Sequence, residues 1–215
     1  MPLVRLIRHG QSASNAGEVT RYPDTIPLTR LGRAQAALVA SCFHRPPRRV
    51  IFSAFDRAAQ TAEPLCERFP DVPVAVWPVQ EFTYLAPSRY AGTTRTDRAA
   101  AVASYWQRLD PRFRDGEGAE TFVAFWDRIE AFWERLVALP GPTVVFSHGQ
   151  FLRGVMLRVL GGPLGPEEAM VRFKAFRTAI AYPNTAIVRL GLLPSGAALV
   201  GQPSTEHLPP EMLST

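Results

Sequence analysis

Lysine is nearly absent from this 215-residue chain: among 24 lysine and arginine residues, Lys174 is the single lysine. Cysteine occurs twice and histidine four times. No apolar run approaches the length that spans a bilayer. Each scarcity closes a class of function. Cys42 and Cys66 offer neither a disulfide framework nor ligand-type spacing to the histidines, so no metal site is expected. Both fall on apolar helix faces and are read as buried free thiols. The stretch from Met1 to Gly10 is broken by Arg5 and Arg8 and lacks a signal-peptide core and cleavage site, so the expectation is a soluble cytoplasmic protein without a membrane partner. The net charge is +5 and the pI about 9.8, yet the arginines are scattered. No helix-turn-helix, zinc-finger or RNP-type signature accompanies them, which argues against a nucleic-acid partner. Arginine in place of lysine suits another ligand, because a planar guanidinium grips phosphate through two parallel hydrogen bonds.

What is present is an alternation of strand-like and helix-like segments. Leu3–Ile7, Val50–Ser53, Val74–Trp77 and Thr143–Phe146 read as strands, with Ala186–Leu192 and Ala197–Val200 as late strands about a turn at Pro194-Ser195-Gly196. Helical spacing links Leu31, Ala34, Leu38, Val39, Cys42 and Phe43 behind a Thr29 cap. It also links Ala58, Ala62, Leu65, Cys66 and Phe69, and again Phe151, Leu152, Val155, Met156, Val159 and Leu160. The pattern predicts an α/β fold, a three-layer α/β/α sandwich on a mostly parallel central sheet. One domain spans 1–215, with a helical and loop cap inserted at about 81–140. Within it, Phe122 to Val137 carries a continuous aromatic stripe for core packing, and Tyr84 to Arg98 reads as loop. The tail from Pro203 to Thr215 is expected to run over the surface.

Two of the four histidines share one context. An apolar strand ends in Arg8-His9-Gly10-Gln11, and another ends in Ser147-His148-Gly149-Gln150. In an open parallel sheet, ligands bind beyond the carboxyl ends of the strands, so both imidazoles would meet in one crevice. Glycine after each histidine is read as room for backbone near a ligand. A neutral imidazole is a competent nucleophile toward phosphorus once the phosphate charge is neutralised. Arg8 and Arg57 would supply that charge, with Arg57 near a helix start that itself favours an anion. His148, if protonated, and the side-chain amides of Gln11 and Asn15 would add donors. Glu81, just past the third strand, is the candidate to protonate the leaving oxygen and then activate water, with Glu117 and Glu120 as rivals. Arg89 and Tyr90, with Arg95 and Arg98, lie in the insertion and could hold a second anionic group. His44 and His207 are assigned to the surface.

Arg8-His9-Gly10-Gln11-Ser12 with Asn15, the block from Ser53 through Arg57 and Ala58 to Thr61-Ala62, and Ser147-His148-Gly149 together resemble the histidine phosphatase superfamily, also called phosphoglycerate mutase-like. Glu120-Thr121-Phe122, Asn184-Thr185-Ala186-Ile187 and Glu206-His207-Leu208 extend the likeness over nearly the whole chain. The resemblance implies that His9 is phosphorylated during turnover, that Arg8, Arg57 and His148 complete the phosphate pocket, and that Glu81 is the proton donor. The stretch Glu81-Phe82-Thr83-Tyr84 departs from the basic-Tyr-Gly run common in the mutases, and Arg89-Tyr90-Ala91-Gly92 follows only later. The function expected is hydrolysis of a small phosphorylated metabolite through a phosphohistidine on His9, without metal or cofactor, by a monomer or homodimer. The alternatives are a phosphoglycerate mutase-type phosphotransferase and a catalytically inactive binding protein.

Overall fold

The computed structural model describes residues 3–193 and 196–215; the turn expected at Pro194 and Ser195 lies outside them. In chain order the elements are β1 (Leu3–Arg8), α1 (Arg30–Ser41), β2 (Arg49–Phe52), α2 (Asp56–Arg68), β3 (Val74–Val76), α3 (Ala99–Arg108) and α4 (Phe122–Val137). Then follow β4 (Thr143–Ser147), α5 (Gly149–Gly161), α6 (Pro166–Ala179), β5 (Ile187–Leu193) and β6 (Gly196–Ser204). The six strands form one mixed sheet in the order β3-β2-β4-β1-β5-β6. The first four pair in parallel, while β5 runs antiparallel to β1 and β6 antiparallel to β5.

Side chains alternate across a strand, and here the alternation sorts the core into two layers. Ile7, Val50, Val144 and Phe146 face α1 and α2 with Val39, Phe43, Ala62 and Leu65. Val4, Leu6, Ile51 and Val145 face the opposite layer of α4, α5 and α6. The aromatic stripe of α4 buries Phe122, Phe125, Trp126, Ile129 and Phe132 in that second layer. Thus the insertion divides: α4 covers the sheet, and the part that overhangs the strand ends is the preceding chain through α3.

Sequence periodicity assigned no element to α3 or α6, and both are weakly patterned. Only Tyr105 and Trp106 are buried in α3, and only Ala169, Met170 and Phe173 in α6. Val137 and Leu160, read as core, are exposed. Cys42 and Cys66 are free but only half-buried, at the rims of their helices. The tail does not simply lie on the surface. Leu208 is buried, and Ser214 is tied to Asn184 through its carbonyl (2.8 Å) and its hydroxyl (3.1 Å). His207 is likewise half-buried, 3.2 Å from the Thr185 hydroxyl.

Candidate active site

The parallel register places the chemistry. Arg8 pairs with Ser147 in the β1/β4 ladder, and Phe52 with Phe146 in the β2/β4 ladder. The residues that follow these strands therefore emerge side by side at one edge. His9 N–H donates to the Ser147 carbonyl (2.9 Å), and Ser53 N–H to that of Phe146 (3.2 Å). The rings of His9 and His148 lie 5.2 Å apart between centroids. They are 3% and 0% exposed.

His9 has one defined tautomer. Its Nδ1 is 2.7 Å from the Gly10 carbonyl oxygen, which can only accept, so Nδ1 carries the proton. Its Nε2 receives the Nε–H of Arg57 at 3.2 Å, and a guanidinium nitrogen can only donate. Both contacts leave the lone pair on Nε2, directed at the arginine. Burial and the charges of Arg57 and Arg8 hold the ring well below the ordinary imidazole pKa, so it is neutral and nucleophilic at neutral pH.

His148 packs behind His9 against the edge of Phe55. Its Nε2 is 2.8 Å from Ser53 Oγ, while Nδ1 is buried without a partner among the described residues. Burial, then Arg57 and His9, push its pKa well down, so in the free protein this ring is neutral. The protonated form entertained from sequence is thus not the resting state.

Arg57, 6% exposed, stands in the first turn of α2; besides His9 it donates to the Pro23 carbonyl at 2.6 Å. Arg8 donates to the Tyr182 carbonyl at 2.5 Å, and its Nε is buried without a hydrogen-bond partner among the described residues. Desolvation lowers Arg8 to about 10, which still leaves a cation at neutral pH. Two guanidiniums held by main-chain carbonyls around a neutral imidazole form a site rich in positive charge.

Asn15 supplies a donor by elimination. Its Oδ1 already accepts from Ser12 N–H (3.2 Å), Ser12 Oγ–H (2.9 Å) and Asn184 Nδ2–H (3.2 Å). Its amide hydrogens are left for the cavity it lines. Asn184, fully buried, also donates to the His9 carbonyl at 3.1 Å and so couples the two loops.

Glu81 accepts at one oxygen, Oε1, from Gln150 N–H in the first turn of α5 (3.0 Å) and from Phe82 N–H (3.1 Å). Oε2 has no hydrogen-bond partner among the described residues. The rival acids lie elsewhere. Glu117 is exposed, and Glu120 is clamped by both arms of Arg128 at 2.7 and 2.9 Å. Arg128 also donates to the carbonyls of Pro78 and Gln80, which pins the irregular stretch between β3 and Glu81.

These side chains line a cavity of about 170 Å³ at the strand ends, bounded by Arg8, His9, Asn15, Arg57, Glu81 and the cap residue Tyr90. A wider annex of about 620 Å³ opens beside it, sharing Arg8, Asn15, Glu81, Arg95 and Gln150 and continuing to Arg153 and Arg177.

Two residues expected here are not brought in. Gln11 turns away: its Oε1 accepts from the Thr29 hydroxyl at 2.8 Å, at the start of α1. Arg89 is exposed and closed in a two-armed ion pair with Asp115 at 2.6 and 3.0 Å, inside the cap. Arg98 does line the smaller cavity, with its Nη1 given to Thr20 and Thr93, which join the cap to the loop after β1. Gly10 also has a different reason from the one expected. A Cβ there would lie 2.5 Å from the Gly32 carbonyl oxygen, so the close approach is to α1, not to a ligand. Arg128, Arg153 and Arg177 were given no role from sequence, because nothing local marks them, and Asn184 entered only through the family likeness.

The histidine phosphatase superfamily (branch 1) family model matches residues 4–200. An adenosylcobalamin/alpha-ribazole phosphatase of Salmonella typhimurium is 31% identical over 166 residues, 74% of this chain and 79% of that protein. A 2,3-bisphosphoglycerate-dependent phosphoglycerate mutase of Gloeobacter violaceus is 30% identical over 183 residues, 78% of this chain and 79% of that one. In fold, a phosphoserine phosphatase from Entamoeba histolytica solved with phosphoserine superposes with a TM-score of 0.73 at 21% identity, over 97% of this chain and all of that one. The two histidine-bearing strand ends, set side by side by the register of a shared sheet, are matched along almost the full length, and this chain belongs to the histidine phosphatase superfamily.

Proposed function

We propose that this chain hydrolyses phosphate monoesters through a phosphohistidine on His9, with Glu81 as acid and base and no metal. The observation that carries this reading is the defined tautomer of His9: a neutral ring whose Nε2 lone pair meets an arginine in a cavity rich in positive charge. A phosphoryl group entering between Arg8 and Arg57 takes over the Arg57 Nε–H and exposes the lone pair to phosphorus. Nε2 then forms the N–P bond as the ester P–O bond breaks, and Glu81 gives its proton to the leaving oxygen. Water attacks phosphorus in the second half, Glu81 takes its proton, and the N–P bond pair returns to Nε2. Arg8, Arg57 and the Asn15 amide hold the charge spread over the phosphoryl oxygens. Guanidiniums fill the role that a metal cation serves in other phosphoryl transfers, so no step needs one. His148 backs the His9 ring, and its unpaired Nδ1 is the remaining polar atom of the pair.

The mutase-type relative supports a second reading, in which the phosphoryl group returns to a substrate hydroxyl instead of water. Rapid quench into alkaline detergent during turnover, with the protein kept at high pH afterwards, is expected to trap an acid-labile phosphoryl group on His9. The His9→Ala variant is expected to carry none and to lose roughly 10⁴-fold or more in kcat. Full activity in that variant ends the mechanism; isomerised ester in place of free phosphate selects the mutase.

A further inference from the structure

The leaving group must occupy whatever lies beyond the phosphoryl pocket, and that space is not neutral. The 620 Å³ annex is lined by four guanidiniums, those of Arg8, Arg95, Arg153 and Arg177, against the side-chain carboxylate of Glu81, with Thr215, the last residue of the sequence, also at its wall. Arg95, Arg153 and Arg177 form no ion pair with any described residue. Arg153 is preset: its Nε donates to the Ile180 carbonyl at 2.9 Å and one arm to the Gly149 carbonyl at 3.0 Å. Arg177, at the end of α6, is laid over the Trp106 ring at 4.6 Å and makes no hydrogen bond among the described residues. Both are half-buried. Burial, and in smaller part the charge of Arg177, lowers the pKa of Arg153, so an anion beside it would be favoured. The cap arginines that could have served are engaged elsewhere, since Arg89 belongs to Asp115 and Arg98 to the Thr20 and Thr93 loops.

We infer that the annex is a second anion subsite, and that the physiological ester carries a carboxylate or a second phosphate on its leaving group, seated on Arg153 and Arg177. This rests on the phosphatase reading and sharpens it to a substrate class. The size of the annex, within the usual range for ligand sites, favours a leaving group longer than two or three carbons.

Matched esters test this. Linear alkyl phosphates are compared with ω-carboxyalkyl phosphates and alkane bisphosphates of the same length, in a graded series, by release of free phosphate. The wild type is expected to prefer one charged series over the neutral one by about tenfold or more in kcat/KM at the optimal length, as a pair of charge-assisted hydrogen bonds would give. Which charged series wins tells carboxylate from phosphate. Arg177→Gln should erase most of that preference, and Arg177→Lys should restore part of it. An equal loss on charged and neutral esters, or a wild type indifferent to the second charge, overturns the inference while leaving the phosphatase reading intact. Should no ester release phosphate, that reading fails first. Calorimetric binding of an ω-carboxyalkylphosphonate against an alkylphosphonate, with and without Arg177→Gln, then decides the subsite independently.

Discussion

The phosphoryl pocket and the annex both use arginine, but they are built differently. In the pocket, Arg8 and Arg57 issue from strand ends or the first turn behind one, and carbonyls of Tyr182 and Pro23 fix them. In the annex, Arg95 comes from the overhanging loop, Arg153 from the flank of α5 and Arg177 from the end of α6, a helix with a sparse apolar face. The first region is anchored by a hydrogen-bonded ladder, whose register leaves no slack for His9 relative to His148. The second rests on a loop and on helix packing, with two carbonyls holding Arg153 but no strand ladder behind it. On the proposed reading, chemistry is housed where the backbone is most constrained, and selectivity where it is least.

The contrast breaks most visibly at Arg57. Arg57→Ala removes a cation and the donor to His9 Nε2 together, and should lower kcat/KM by about 10³-fold or more. The loss should be of similar size for aryl, alkyl and doubly charged esters, unlike that of an annex variant. A loss confined to doubly charged esters would show that Arg57 belongs with the annex.

Glu81 sharpens the comparison, because it lies on the boundary and lines both cavities. Glu81→Gln keeps an acceptor for Gln150 and Phe82 N–H but has no proton to give. The drop in kcat should be about 10²-fold for alkyl esters, whose leaving oxygen needs a proton, and under about tenfold for nitrophenyl phosphate. Equal losses on the two would remove Glu81 from proton transfer.

The smallest effect concerns stability. His9 and His148 are both held below their ordinary value near 6.5 by burial and arginine charge, and half-buried His207 moves the same way. As the pH falls below 6.5, the unfolded chain binds protons that these folded imidazoles refuse. Stability should therefore decline toward pH 5, by at most about 1.4 kcal/mol per pH unit for each fully buried ring. Urea midpoints between pH 7.5 and 5 read this directly, and His148→Gln should flatten the slope. Stability that rises on acidification would contradict the buried, neutral assignment.

Strong periodicity made much of this legible beforehand. Leu3–Ile7 and Thr143–Phe146 are apolar runs that end in His-Gly, and an apolar run ending at a sheet edge delivers its next residue to the crevice. The aromatic stripe of α4 was as plain, because eight apolar positions repeat on one face. Gln11 was misplaced since its neighbours in sequence point to the pocket while its own side chain bonds Thr29. Arg89 was misplaced because its partner, Asp115, is 26 residues away and nothing local announces the pairing.

By itself the sequence determined the residue types and the strand ends that bear them: His9 after β1, Arg57 at the start of α2, Glu81 after β3, His148 after β4. Only the tertiary structure decided the tautomer of His9, the capture of Glu120 by Arg128, and which arginines have no ion pair among the described residues. Those depend on hydrogen-bond partners far apart in the chain. A side chain's partners are set by packing, and packing is not written in its neighbours.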